Sequence, residues 1–275
     1  MEPITFKQCF TGAWRDGFNA LRSRPLLSIT IAVVMLVATA LNASVKQLML
    51  MTAQSGGSPG LRLGLGALAL LLTLVILFSF AVLAVHVYRH TILGADAARQ
   101  TPWYGRDLWR YIWAAIQVGF VLSVMLTLAL LVAVFALRAA SMSNSRPAMA
   151  TFTALLLCAL VFFMVRISLI FGQVSVGRAK RWRAAWNDTR GHFWVMLGTG
   201  IVTVLPLMGV GLLLTIAFGL LLHVMPGVTT VLLGALILQT LVTVAYIAVG
   251  TSLHGWFYLR YADRLLALDD APDDA

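Results

Sequence analysis

The chain has 275 residues, 60% hydrophobic and 11% charged, with a mean hydropathy of +0.91. Soluble domains carry about 25% charged residues, so this composition excludes a soluble globular enzyme, a disordered chain and a disulfide scaffold, and leaves a multi-pass membrane protein. Twenty Lys and Arg against ten Asp and Glu give a net charge of +10, which here points to basic loops facing anionic lipid heads rather than to nucleic acid.

A helix needs about 20 mostly apolar residues to cross the hydrocarbon. Runs free of Asp, Glu, Lys and Arg cover Pro25–Val45, Leu63–Tyr88, Tyr111–Leu137, Pro147–Val165 and Gly191–Leu259. The first four each fit one span. The fifth holds 69 residues, and Pro226-Gly227 divides it, because Pro-Gly is strong turn chemistry. Six spans are predicted, over 26–48, 63–88, 112–137, 148–171, 194–222 and 228–257. Continuous rather than alternating apolarity excludes a barrel. The whole of 1–267 reads as one six-span membrane domain. Residues 268–275 read as a short, acidic, disordered tail.

Leu26 onward also fits the apolar part of a signal peptide, with Ala38-Thr39-Ala40 as a cleavage site, but 25 residues is too long a leader. Cys9 precedes the first span and Cys158 lies deep in the fourth, so they sit at different depths and no disulfide joins them.

Lys7, Arg15, Arg22 and Arg24 precede span one. Arg89, Arg99, Arg106 and Arg110 separate spans two and three. Arg166, Arg178, Lys180, Arg181, Arg183 and Arg190 lie at or between spans four and five, and Arg260 and Arg264 follow span six. These sixteen share one side; only Lys46, Arg62, Arg138 and Arg146 lie on the other. The asymmetry predicts a cytoplasmic location for both termini. Every acidic residue falls on that inner side, as do all eight tryptophans.

The inner segments resemble one another. Phe10-Thr11-Gly12-Ala13-Trp14-Arg15-Asp16-Gly17-Phe18 precedes span one. Trp103-Tyr104-Gly105-Arg106-Asp107-Leu108-Trp109-Arg110-Tyr111 precedes span three, and Arg181-Trp182-Arg183-Ala184-Ala185-Trp186-Asn187-Asp188-Thr189-Arg190 precedes span five. Phe10, Trp14, Phe18 and Leu21 form a helical stripe. So do Val176, Ala179, Trp182, Trp186, Thr189 and Phe193. An aromatic face beside a basic one suits a helix lying in the membrane interface. The predicted fold is therefore all-α and polytopic: three hairpins, each preceded by an interfacial amphipathic segment. Trp14, Arg15, Trp109, Arg110, Arg181, Trp182, Arg183 and Trp186 are the candidate lipid contacts. The same stripes would also serve to pack against neighbouring helices.

Arg166-Ile167-Ser168-Leu169, Val176-Gly177-Arg178 and Ala185-Trp186-Asn187-Asp188-Thr189-Arg190-Gly191-His192-Phe193-Trp194 resemble a stretch of uncharacterised six-span bacterial inner-membrane proteins. These are similar to the membrane domain attached to some glycerophosphodiester phosphodiesterases. The specific likeness covers residues 163–210; elsewhere it is one of layout. It implies a six-span architecture in a bacterial inner membrane. It transfers no catalytic residue, because the phosphodiesterase chemistry of that family lies in a separate soluble domain that has no counterpart in this sequence.

Ionisable residues within spans flag function, and no Asp or Glu occurs in any span. Arg166 lies about 27 Å below a span start near Ala148 at 1.5 Å per residue. It can snorkel to the inner headgroups as an anion or lipid-phosphate contact, as an interface anchor, or as a partner for Asp188. His86 and His90 share a helical face, but no set of three or four convergent ligands supports a metal. Ser252 and His254 lack an acidic third member, and no GxSxG elbow occurs. Pro206, near the middle of span five and flanked by Gly198, Gly200, Gly209 and Gly211, predicts a kink. The expected function is a non-enzymatic interaction or lipid-organising role. Its partners are membrane lipids, mainly anionic, with a membrane protein partner or second copy left open, and no cofactor, metal or nucleic acid. The alternative is a transporter of a small or lipid-like solute, with Pro206 as hinge and Arg166 as anion contact.

Overall fold

A computed structural model of the protein describes residues 5–56, 58–102, 104–139, 145–224 and 229–269. Trp103, the Pro226-Gly227 turn, residues 140–144 of an outer turn, and 270–275 of the acidic tail lie outside the described residues. Every element described is an α-helix. They are α1 (Phe6–Ser23), α2 (Pro25–Gln54), α3 (Pro59–Leu93), α4 (Ala95–Gln100), α5 (Arg106–Ala139), α6 (Arg146–Ile167), α7 (Leu169–Ser175), α8 (Trp182–Asp188), α9 (Phe193–Val224), α10 (Thr229–Tyr261) and α11 (Asp263–Asp269).

Six stretches are long and apolar enough to cross a membrane: Pro25–Gln54, Pro59–Leu93, Arg106–Phe135, Pro147–Ser175, Phe193–Leu221 and Thr230–Tyr261. Their outer faces are bare of protein. Leu63 is 76% exposed, Phe120 69% and Leu213 68%. In water so large an apolar surface would aggregate. In a bilayer the lipid is the solvent, and each helix satisfies its own backbone hydrogen bonds. The chain is a multi-pass membrane protein with six membrane-spanning helices.

Local chemistry sets the helix starts. Thr5 and Gln8 close a capping box at α1, Gln8 N–H donating to Thr5 Oγ1 at 3.4 Å and Thr5 N–H to Gln8 Oε1 at 2.6 Å. Proline opens α2 and α3, where a missing N–H costs nothing. Gly94, at φ 89°, ends α3.

The inner segments depart from the predicted threefold pattern. The first is a complete helix, α1. In the second, Arg106–Tyr111 is the opening of α5 itself, preceded by the short α4. In the third, the stripe 176–193 is not one helix. Gly177 and Gly191 take φ of 84° and 88°, which a right-handed helix cannot contain, so α8 is an isolated seven-residue helix. Span four is likewise two helices meeting at Ser168.

The described chain divides into two compact units. The first takes Met1–Tyr104 and Thr199–Trp256, the second Gly105–Gly198 and Phe257–Ala275. In the first, α2 packs along α3 through Ala38, Val45, Leu65 and Leu72, and Asn42 donates to Thr73 Oγ1 at 3.3 Å. The small-residue face of α1 (Cys9, Gly12, Ala13, Gly17, Ala20) is buried. The Trp256 ring lies on Gly12, and Gly17 meets the backbone of Ala248 and Val249. Trp256 Nε1 donates to Asp16 at 3.1 Å.

In the second unit, fully buried Gln173 and Tyr258 form a hydrogen-bonded relay. Tyr258 Oη donates to Gln173 Oε1 at 2.6 Å and accepts from Arg178 at 2.8 Å, while Gln173 Nε2 donates to the Ala179 carbonyl at 3.2 Å. Gly172 has no Cβ to keep the Tyr258 side chain away.

Candidate functional site

The predicted lipid contacts separate into open and packed groups. Arg15, Trp109, Arg110, Trp182 and Arg183 are exposed. Arg15 pairs with Asp16 at 2.9 Å, and Arg110 donates to the Gly177 carbonyl at 3.0 Å. Arg181 is half-buried. Trp14 is half-buried beside Phe18, its indole N–H unbonded among the described residues. Trp186 packs against Phe163, with ring centroids 5.7 Å apart. Lys180 bonds Gln117 and lies 5.4 Å from the Trp182 ring centroid. The loop 176–181 is thus tied down by Arg110, which donates into it, and by its own Arg178 and Lys180, which donate out of it.

On α1, the aromatic stripe is not the docked face. Cys9, Ala13 and Ala20 point inward, while Phe6 and Phe18 are exposed and Phe10 and Trp14 half-exposed. Phe6 and Phe10 stack at 6.5 Å. Steps of four place 6, 10, 14 and 18 on one slowly turning strip. By helical spacing, Lys7, Arg15 and Arg22 border it on the side away from the buried face; all three are exposed.

Arg166 stands apart. It is 8% exposed. The guanidinium lies 4.5 Å from the Trp186 ring centroid and 5.7 Å from that of Phe162. Its Nη1 donates to Thr189 Oγ1 at 3.2 Å. The Thr189 hydroxyl is also within 3.1 Å of the Arg166 carbonyl, tying the end of α6 to the end of α8. Arg166 Nε is buried without a partner, and no carboxylate pairs with the side chain among the described residues. Arg190, another cation, acts on it electrostatically.

Asp188, one of the partners open to it on the sequence, is engaged elsewhere. It accepts from the backbone N–H of Arg264 at 3.3 Å and Leu265 at 3.1 Å, capping α11, whose own N-cap Ala262 has no side-chain acceptor. Burial pushes the Asp188 carboxyl up from its ordinary value, against the pull of those two N–H groups. An ion buried unpaired costs several kcal/mol. Aromatic faces return about 2 kcal/mol when desolvated, so the Arg166 pocket is under-neutralised.

Three of the five histidines, His86, His192 and His254, are occupied structurally. His86 Nε2 contacts the Ala20 carbonyl at 3.0 Å and Ser23 Oγ at 3.2 Å. His192 stacks on Tyr261 at 4.6 Å. His254 Nδ1 bonds the Gly250 carbonyl at 2.8 Å, while Ser252 accepts from Thr91 at 3.1 Å, so these two side chains form no dyad. Among the described residues no three His, Cys, Asp or Glu cluster as metal ligands. Pro206 is exposed within an unbroken α9. Gly198, Gly200 and Gly209 have no packing neighbour within 4 Å of an added Cβ. Pro206 belongs to the first unit and Arg166 to the second.

Thr189 and Phe162 were not singled out as site residues from the sequence. Thr189 left one trace, a hydroxyl inside an otherwise apolar stripe. Neither a protein-family model, nor a curated protein, nor a solved structure matches the chain.

Proposed function

We propose that the protein is a non-enzymatic membrane protein of a bacterial inner membrane that associates with anionic lipid at its cytoplasmic face and organises lipid or a membrane partner there. The observation that carries this reading is α1. It buries a face of small residues against its own unit and leaves an aromatic strip open beside Lys7, Arg15 and Arg22. A helix docked on one side, aromatic on the next and basic on the third suits the headgroup boundary. The sixteen-to-four basic asymmetry supports the cytoplasmic side. Exposed Trp109, Trp182 and Arg183 extend the same chemistry into the other unit. The resemblance of residues 163–210 to phosphodiesterase-linked membrane domains points to architecture alone.

Native mass spectrometry of the protein released gently from its own membrane tests the reading. Retained anionic lipid or a partner protein is expected, with most of it lost in an R15Q/R181Q/R183Q variant. A retained small solute, unaffected by those substitutions, would sink the lipid reading and favour transport.

A further inference from the structure

We propose that Arg166 is the anchor of a discrete site for one phosphate oxyanion, supplied by the headgroup of an anionic phospholipid. The inference rests on the lipid-associating reading and narrows it from a surface to a stoichiometric site.

The geometry supplies the argument. With Nη1 committed to Thr189, the Nε–Nη2 edge of the guanidinium has no partner among the described residues. That edge is the planar fork whose two N–H groups donate to two oxygens of a phosphate at once. Trp186 and Phe162 stack against the guanidinium and Thr189 tethers it, so it is oriented before a ligand arrives. Among the described residues no carboxylate neutralises it, and Arg190 adds a second positive charge. Both features favour an incoming anion. Phe162 is 38% exposed on the outer face of span four, so the rim of the site borders lipid. Arg166 lies where the helix reaches headgroup depth, about 27 Å from Ala148, so a headgroup phosphate arrives at that level without leaving the bilayer.

The test is a native mass spectrometry titration of the full chain in micelles with phosphatidylglycerol, with phosphatidylcholine and with inorganic phosphate. The wild type is expected to hold one phosphatidylglycerol in preference to phosphatidylcholine. R166M is expected to weaken it by about thirty-fold or more, with R138Q, at the opposite end of the spans, holding it as the wild type does. R166K keeps the charge but loses the planar fork, and should weaken binding by about tenfold. Wild-type affinity in a folded R166M overturns the site. Should R166M fail to fold, wild-type affinity in R166K does the same. A wild type that binds neither phosphatidylglycerol nor phosphate also overturns it. Displacement of the lipid by inorganic phosphate in the wild type, absent in R166K, supports the oxyanion site and reassigns its source to free phosphate. The broad surface reading fails separately, when R15Q/R181Q/R183Q leaves the pool of lipid carried from the membrane unchanged.

Discussion

At Gly17, one hydrogen decides whether two helices meet. An added Cβ would lie 3.0 Å from the Ala248 carbonyl oxygen and 3.1 Å from Val249 Cα. Backbone atoms of a packed helix cannot swing aside, so Gly17→Ala must push α1 outward. A cost of about 1–3 kcal/mol is expected, visible as a lower Tm in micelles. Gly250 has nothing within 4 Å of an added Cβ. Gly250→Ala therefore gains helix propensity and should leave Tm unchanged or raise it. Equal effects of the two substitutions would refute the close-approach argument. Asp188 gives a second residue-scale prediction, this time in pH. Burial raises its carboxyl above 3.8 in the folded protein. Between 3.8 and that raised value the native state binds more protons than the unfolded chain. The site's contribution to stability therefore falls as pH rises through that window, and is largest below it. The wild type should lose stability relative to D188N across the window. D188A, which removes both N–H acceptors from α11, should lose about 1–2 kcal/mol near neutrality. A pH-independent difference between wild type and D188N would contradict the assignment.

Among the elements, the apolar spans were the most legible, because twenty uncharged residues have few alternatives in a membrane. Their ends were less so. Helix α2 continues to Gln54 and α3 begins at Pro59, since backbone hydrogen bonding runs on past the apolar stretch. The inner segments were misread where glycine decided the outcome. Periodicity across 176–193 is satisfied by a helix, but Gly177 and Gly191 adopt left-handed φ, and only the bonds around them reveal it. Arg178 and Lys180 read only as inner-side charge, and Arg110 as a lipid contact. They are instead donors to Tyr258, Gln117 and the Gly177 carbonyl. The role of Asp188 was not legible either, because the need of α11 for a cap is invisible until α11 lies beside α8. The loop after α4 shows the same use of arginine. Arg24 donates to the carbonyls of Arg99 and Thr101, and Arg89 to that of Pro102 at 3.1 Å. Arg24→Ala removes two of these three ties. Trypsin cleavage at exposed Arg99 should then accelerate several-fold, without a comparable rise at Arg183 in the other unit. An unchanged rate would mean that α3 and α4 hold the loop without Arg24.

For the whole molecule, charge asymmetry must set orientation, because the six helices alone would span equally well either way round. Sixteen basic residues lie on one side and four on the other. Both proposals depend on which compartment that side faces, because anionic lipid and a negative surface potential mark the cytoplasmic leaflet. Four positions report it. Asp96 and Arg190 lie in inner segments, while Ser58 and Ser145 precede α3 and α6 on the outer side. With Cys9 and Cys158 replaced by Ala, single cysteines at these four positions should react with a membrane-impermeant maleimide from opposite sides. Asp96→Cys and Arg190→Cys should label only in inverted vesicles, Ser58→Cys and Ser145→Cys only in right-side-out ones. The reverse pattern would place Trp109, Trp182 and Arg183 on the side away from the cytoplasm, leaving the cytoplasmic leaflet only the four basic residues of the outer turns. Mixed labelling at a single position would instead indicate that the chain inserts both ways, which a bias this large opposes.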